Sequence, residues 1–505
     1  MGYSEIHCQI CGVGFNIGRI RTASEPRTAA WTSTRVFPGT YVGSKHFTKS
    51  NCPPGCMVAL RAQRSPWGAR RRGYADPAEP ASAQPAGQGD MFPERPDEVP
   101  EDEIDRRFHG IGTTHNLEHI AGPECLFEPV LGGGYSGHNI SLQEMAGCNT
   151  VQCLVRKTPN WEPEDGDEEF EKAGAFFLSG LSDYMPNRDG PLPSVFPVRH
   201  GCTRPRPETT FWNEERTEEY ALPFHTTCLE VFKQASLHRT GNIDIAALTG
   251  WWEIEGDHKR TPDFPRDPAV TKSPTNYWCH FQGDEYLVAD PCRVPGLDSL
   301  LEMGQQAQEL NTTQPSLIVQ AEPSLQEPAT QDPFLRLPQE VRTMILLEVP
   351  FDDVVNLQLS SRAFWDIGDA VFRNLVVRDW PWMWEAWSTL GYSSWASKTA
   401  EELGKMATLP LKPVKSNSDD AGGDQNDKQE KEEAQRGDDS PRSKSAPESG
   451  FLKGTHAIDW RKVRLAAGTK LVGNQLKGLR NRERIWKDCE EILHRADIYR
   501  REGKM

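Results

Sequence analysis

The 505-residue chain carries 57 Lys and Arg against 73 Asp and Glu, for a formal net charge of −16 and a pI near 5.4. That balance argues against a nonspecific nucleic-acid binder, which holds phosphates with clustered cations, although it leaves room for a local basic patch. No apolar run of about 18 residues is present, so no membrane span is expected.

The opening, MGYSEIHCQICGVGF, lacks the basic and long apolar segments of a secretory signal. Ile6 stands where a myristoylation motif requires Ser or Thr. Without a signal, the twelve cysteines read as thiols or metal ligands rather than disulfides. The expected setting is intracellular, cytoplasmic or nuclear. The length allows two or three domains.

Residues 1–60 form a cysteine-containing N-terminal segment. Cys8-x2-Cys11 is followed by Gly12, a spacing that lets two thiolates grip one ion while glycine eases the turn. The nearest second pair is Cys52-x3-Cys56, with Pro53, Pro54 and Gly55 between. Cys8, Cys11, Cys52 and Cys56 are therefore the candidate ligands of a closed structural zinc site, with reduced thiols as the alternative and His7 as a spare donor. Residues 61–104, rich in Ala, Pro, Gly and charge, read as a disordered linker.

The central region, 105–300, reads as a loop-rich α+β domain. Its clearest helix is LPFHTTCLEVFKQASLHR (222–239), with a second at 242–252. A looser donor set comprises His115, His119, Cys125, Cys148, Cys153, His200, Cys202, His225 and Cys228. Within it, His225-x2-Cys228 puts two donors near one helical face. No HExxH motif or phosphate-binding loop is present. A dyad can be drawn from Cys228 or Cys148 with His225 or His200, but no complete catalytic constellation supports it. The acidic run Glu162–Glu171 lacks calcium-loop spacing and reads as solvated surface.

Residues 301–331 read as a second linker. Residues 332–366, DPFLRLPQEVRTMILLEVPFDDVVNLQLSSRAFWD, hold three short amphipathic helical segments. The first starts at Leu337-Pro338-x-Glu340, where proline is cheap because its missing amide would be unpaired anyway. Its stripe is Leu337, Val341, Met344, Ile345 and Val349. Asp352 or Asp353 is expected to cap the second segment, and Ser360 or Ser361 the third, which carries Phe364, Trp365 and Ile367. Three helices this short bury little surface and generally dock onto something.

This pattern resembles an F-box. It departs at Phe364, where that family most often has Trp, although Trp365 follows at once. The resemblance implies binding to the Skp-type adaptor of an SCF ubiquitin ligase, and through it to a cullin. The adaptor-facing candidates it implies are Leu337, Pro338, Ile345, Leu357 and Phe364. The fold expected for the chain is α+β: a loop-rich mixed N-terminal and central region, then an all-α F-box with a helical extension.

That extension runs to residue 400 and includes VVRDWPWMWEAW (376–387). Its tryptophans suit either a clamp holding the F-box to the body or a peptide groove, and the clamp is the preferred reading. Residues 401–450 form an acidic, apolar-poor insert expected to be disordered, with Ser440-Pro441 as a candidate phosphorylation site. The segment 451–505 is helical and basic (Lys477, Arg480, Arg482, Arg484, Lys487). It is expected to pack back on the tryptophans through Leu479, Ile485, Ile492 and Leu493 while showing its basic face to solvent.

CQICGVGFNIGRIRT, GYSGHNISLQEMAGCNTVQCLV, PFHTTCLEVF, GDEYLVADP and GLRNRERIWKDCEEIL, in this order, resemble motifs of a large family of fungal F-box proteins. The chain departs from many of these in its 61–104 insertion. That wider resemblance bears on architecture more than on a substrate; the F-box resemblance implies a non-catalytic substrate-receptor subunit, in which the central region holds an unknown protein substrate and proximity does the chemical work. The alternative is a zinc-stabilised scaffold or regulatory protein acting outside a ubiquitin ligase.

Overall fold

In a computed structural model, the structure describes residues 6–31, 55–60, 117–125, 134–183, 199, 202–203, 221–256, 265–272, 280–313, 332–365, 368–393, 395–400, 402–403 and 458–505. The 61–104 linker, the heart of the acidic insert, Ser440-Pro441, Cys52, His115, His200 and Ile367 lie outside that set.

Mixed helix and strand are both present, as an α+β reading requires. β1 (Arg19–Ile20), β2 (Met57–Leu60), β3 (Leu117–Ile120) and β4 (Tyr135–Ser136) form two small sheets: β1 pairs parallel with β4, and β2 antiparallel with β3. The main sheet is organised around β5 (Val151–Arg156), whose first five residues are all buried. After α1 (Glu169–Ala173), β6 (Phe176–Leu178) and β7 (Leu181–Ser182) pair antiparallel with β5. β8 (Cys202–Thr203) joins β7 in parallel, and β9 (Ala221–His225) lies antiparallel to β5 from Val151↔His225 to Val155↔Ala221.

β9 corrects the expected helix at 222–239. Its residues pair in the sheet, and the helix begins only at α2 (Thr226–Thr240). Every residue of α2 from Thr226 to Ser236 is buried, so its weakly amphipathic pattern is that of an internal helix. Gly241 ends it in the left-handed conformation, at φ 76°. α3 (Ile245–Glu255) starts where the Asp244 carboxylate accepts the Ala247 amide. α4 (Pro268–Thr271) is a single turn. α5 (Leu297–Thr313) continues into what composition suggested was linker.

The 332–366 stretch does form short helices: a 3-10 turn at Pro333–Arg336, α6 (Gln339–Glu348), α7 (Phe351–Ser360) and a 3-10 turn at Arg362–Phe364. Pro338 is the N-cap of α6 and Pro350 that of α7. Asp352 and Asp353 therefore sit in the first turn of α7 and do not cap it. Ser361 caps the last turn by accepting the Ala363 amide at 3.3 Å, and donates to Asp332 at 2.6 Å. α8 (Asp369–Asp379), α9 (Trp460–Val472) and the 25-residue α10 (Lys477–Arg501) complete the chain.

The hydrophobic core is continuous from Ile6 through the sheet, α2 and α3 to the short-helix module, the tryptophans and α10. α10 explains that continuity. Leu479, Ile485, Trp486, Cys489, Ile492, Leu493 and Ala496 make a buried stripe at three- and four-residue spacing, and the helix packs on α2, α3 and the turn at Glu285–Val288. Gly478 permits the approach, because a Cβ there would lie 2.3 Å from the Asp290 carbonyl oxygen.

The basic face expected of α10 is partly internal. Arg482 is fully buried, stacks 3.8 Å over the Trp384 ring and donates to both Glu385 carboxylate oxygens at 2.9 Å. The acidic run is also not all solvated. Glu171 is buried and accepts the Leu178 and Glu168 amides at 2.7 and 2.8 Å, and Asp167 pairs with Arg199.

Candidate metal centre and helical docking module

The Cys8–Cys11 knuckle is shaped by its backbone. Cys8 N–H donates to Val13 O at 2.9 Å and Gly12 N–H to Cys8 O at 2.8 Å. Gly12 has φ +74°, and a Cβ there would meet the Arg266 and Val270 side chains at 3.0 Å. Gln9 N–H donates to Pro223 O at 2.9 Å, which lays the knuckle against β9. The end of β9 supplies His225, which is also the N-cap residue of α2, and Cys228 follows in the first helical turn.

Cys8, Cys11, His225 and Cys228 are all buried, and their donor atoms lie within 4.8 Å of one another. His225 Nδ1 is 3.6 Å from Cys11 Sγ and 3.9 Å from Cys228 Sγ. Bond lengths to tetrahedral zinc of about 2.3 Å for sulfur and about 2.0–2.1 Å for nitrogen put such atoms about 3.6 Å apart. The Cys11 and His225 amides both point at Cys8 Sγ, at 3.4 and 3.5 Å. Cys8, Cys11 and Cys228 are thiols rather than disulfide partners. The donor set and its dimensions fit a closed Cys3His site that could hold a metal ion.

The four side chains also perturb one another's protonation. Burial pushes the Cys11 thiol up, but hydrogen bonds from Cys228, Cys8 and His225 outweigh it and hold Cys11 well below the ordinary thiol range. Burial disfavours the His225 cation, yet the hydrogen bonds to Cys11 and Cys8 raise its pKa to about 10. Burial and the neighbouring thiols push Cys228 up. The pocket thus favours an anionic Cys11 sulfur facing a positive His225.

Two arginines close over the knuckle. Arg266 donates to the Ile10 and Gln9 carbonyls at 2.8 and 3.1 Å, and Arg484 of α10 donates to the Cys11 carbonyl at 2.8 Å. Asp488 pairs with both, and its carboxyl is pushed up to about 7 by burial. One site therefore ties together the N-terminal segment, the sheet, α2 and the C-terminal helix.

This geometry corrects the expected ligand set. Cys56 does not join Cys8 and Cys11. It lies with His119 and Cys125, as a second group whose donor atoms are within 4.8 Å of one another. The reason is topological: pairing with β3 carries β2, and Cys56 just before it, away from the knuckle. The spacing His225-x2-Cys228 was visible in sequence, but nothing local tied it to Cys8 and Cys11, more than 200 residues away. Cys148 and Cys153 are buried outside both groups, and burial raises the Cys153 pKa to about 12.

In the helical module, Leu346, Phe351, Val354, Ala363 and Phe364 belong to the main core. Phe364 is 0% exposed, against Phe334 at a ring distance of 5.1 Å, so it is an internal anchor and not an outward-facing residue. Its neighbour Trp365 is 63% exposed, with its indole N–H donating to the Gln358 carbonyl. Met344 is 66% exposed and Leu359 81%. Leu335 and Val341 are also exposed, as is Pro338, while Leu337, Ile345 and Leu357 are half-buried.

The module is held to the body by α8, α9 and the tryptophans. Arg378 donates to the Val349 carbonyl at 2.9 Å, Arg464 lies 3.2 Å over the Trp380 ring, and Trp380 stacks on Trp382 at 4.9 Å. Trp382 and Trp384 are buried, so the aromatic block clamps and offers no open groove there. No helix among the described residues is long and apolar enough to cross a membrane. Comparison with family models, curated proteins and solved structures finds no match to this chain.

Proposed function

We propose that this chain is a non-catalytic F-box subunit. The 332–366 module docks a Skp-type adaptor, and through it a cullin, while the body carries a protein substrate. The observation that carries this reading is the exposed apolar set Leu335, Pro338, Val341, Met344, Leu359 and Trp365, on a module that sends Leu346, Phe351, Val354 and Phe364 into the core. Large exposed apolar side chains gathered on one small module mark an interaction surface rather than a scatter. The sequence of that module is the one that resembles an F-box. Trp365 takes the contact role first given to Phe364, and Leu337, Pro338, Ile345 and Leu357 keep theirs.

Affinity purification of the chain with its endogenous partners tests this. Adaptor and cullin should co-purify with the wild type and be lost from the Met344→Asp plus Leu359→Asp variant, while substrate-side partners remain with both. A folded wild-type chain that retains no adaptor overturns the reading.

The same proposal includes structural zinc at Cys8, Cys11, His225 and Cys228. Three thiolates and one imidazole suit zinc, and the absence of an open position suits a structural rather than catalytic role. This part supports equally a zinc-stabilised scaffold outside a ligase, which the purification separates. Metal analysis should find zinc that the Cys228→Ser variant does not hold.

A further inference from the structure

We propose that Cys56, His119 and Cys125 form a second, independent site for a zinc-class cation, which fastens the base of the excursion that the chain makes between β2 and β3.

The backbone builds the site. β2 and β3 pair from Met57↔Ile120 to Leu60↔Leu117, which places Cys56 beside the residues that follow β3. The Gly122 amide donates to Cys56 Sγ at 3.4 Å. This is the backbone-to-sulfur bond that a metal-bound thiolate accepts, and the Cys11 amide makes its counterpart to Cys8 at the first centre. A turn, with Cys125 N–H donating to Gly122 O at 3.1 Å, brings Cys125 back. Cys125 Sγ then lies 3.7 Å from His119 Nε2, close to the sulfur–nitrogen edge of a zinc tetrahedron. Gly122 makes the approach possible, since a Cβ there would sit 2.4 Å from the Gly55 carbonyl carbon.

A cross-link here has a structural use. Among the described residues, the buried apolar cluster at this place comprises Ile20, Ala121 and Cys125, with Cys56 packed against it, and is separate from the main core. The paired strands β2 and β3 are separated by residues 61–116, so bringing them together costs loop-closure entropy. A metal held across the hairpin adds a constraint against that cost.

Two thiolates and an imidazole select a soft or borderline divalent ion over calcium or magnesium. Three donors are present among the described residues, which leaves a fourth position for water. Cys56 is half-buried, whereas all four donors of the first centre are buried. The second ion is therefore the more accessible of the two.

The test uses the full-length chain as purified. Metal analysis should give two equivalents of zinc, and a chromophoric chelator should withdraw one quickly and one slowly. Cys125→Ser should abolish the fast equivalent and leave the slow one, and Cys228→Ser should remove the slow one. In the wild type, iodoacetamide should label Cys56 only after the fast equivalent has been withdrawn, a readout that needs no variant. A single equivalent lost only with Cys228→Ser, or Cys56 labelling equally before and after chelation, overturns the second site. Loss of the fast equivalent alone leaves the first centre standing, so the two claims fail separately.

Discussion

The Cys3His centre and the short-helix module sit in the same continuous core, yet they present opposite surfaces. At the metal centre every donor is buried, and the loop carbonyls above it are capped by Arg266 and Arg484. In the module one face is anchored by Phe364, Val354 and Leu346 while Met344, Leu359 and Trp365 point outward. In the first region the donors face one another inside the core. The second has left apolar surface for something else to cover. If the proposed function holds, stability and recognition belong to different parts of one core, and substitutions should separate them.

The largest effect is expected at the centre. Cys228→Ser removes one of four buried donors and should destabilise the chain by on the order of 5 kcal/mol, the range in which metal loss falls. Denaturant unfolding of the zinc-loaded proteins measures it. A change of about 1 kcal/mol would mean that the site carries no structural ion.

Arg482→Ala comes next. It leaves Glu385 facing the Trp384 pocket without its cation and removes the ring-stacking guanidinium, so a loss of about 3–5 kcal/mol is expected in the same assay. Its effect would show that the α10 arginines are internal struts and not a solvent-facing basic surface.

A smaller, pH-dependent loss is expected at His280. Its Nε2 accepts the Gly18 amide at 2.9 Å, and burial lowers its pKa from 6.5 to about 3. A histidine kept neutral in the fold contributes its full stability above its unfolded pKa and loses it as pH falls from about 6.5 toward about 3. Near pH 5 the wild type should have lost about 2 kcal/mol from this group. His280→Gln keeps an acceptor for Gly18 without a titrating ring, so its stability should fall less over the same interval. Equal slopes for the two proteins would rule out His280 as the source.

The smallest stability effect belongs to the module's outward face. Met344→Asp plus Leu359→Asp should change unfolding free energy by no more than about 0.5 kcal/mol per site, as exposed positions do, while adaptor capture falls at least tenfold. If stability drops steeply instead, that face is packed and the contrast between the two regions collapses.

Much of the local architecture was legible along the chain. The α3 helix, the short helices around Leu337-Pro338-x-Glu340, the Ser361 cap and the apolar stripe of α10 all follow from spacing and capping, which act within one or two turns. That the stripe of α10 must find a partner was legible too, but its main partners are α2 and α3, and the tryptophans are met through Trp486 and Arg482. Other features misled for identifiable reasons. LPFH (222–225) reads as helix because it adjoins one, but pairing with β5 makes it strand. Phe364 and Trp365 are adjacent and equally apolar, so only the turn at 362–364 decides which faces inward. Arg482 and Arg484 look solvent-seeking until Glu385, Trp384 and Asp488 are brought to them.

The candidate metal ligands divide along the same line. The sequence by itself determined that Cys8 and Cys11 can form a two-thiol knuckle and that His225 and Cys228 can lie close together, because both depend on backbone geometry over three residues. Which pair meets which was decided only by tertiary structure. The β5–β9 register and the Gln9–Pro223 bond carry the knuckle to the start of α2, while the β2–β3 pairing carries Cys56 to His119 and Cys125. A donor's identity is chemistry written in one residue, whereas closing a site fixes distances between chain segments far apart in sequence, and only the packed sheet and helices set those.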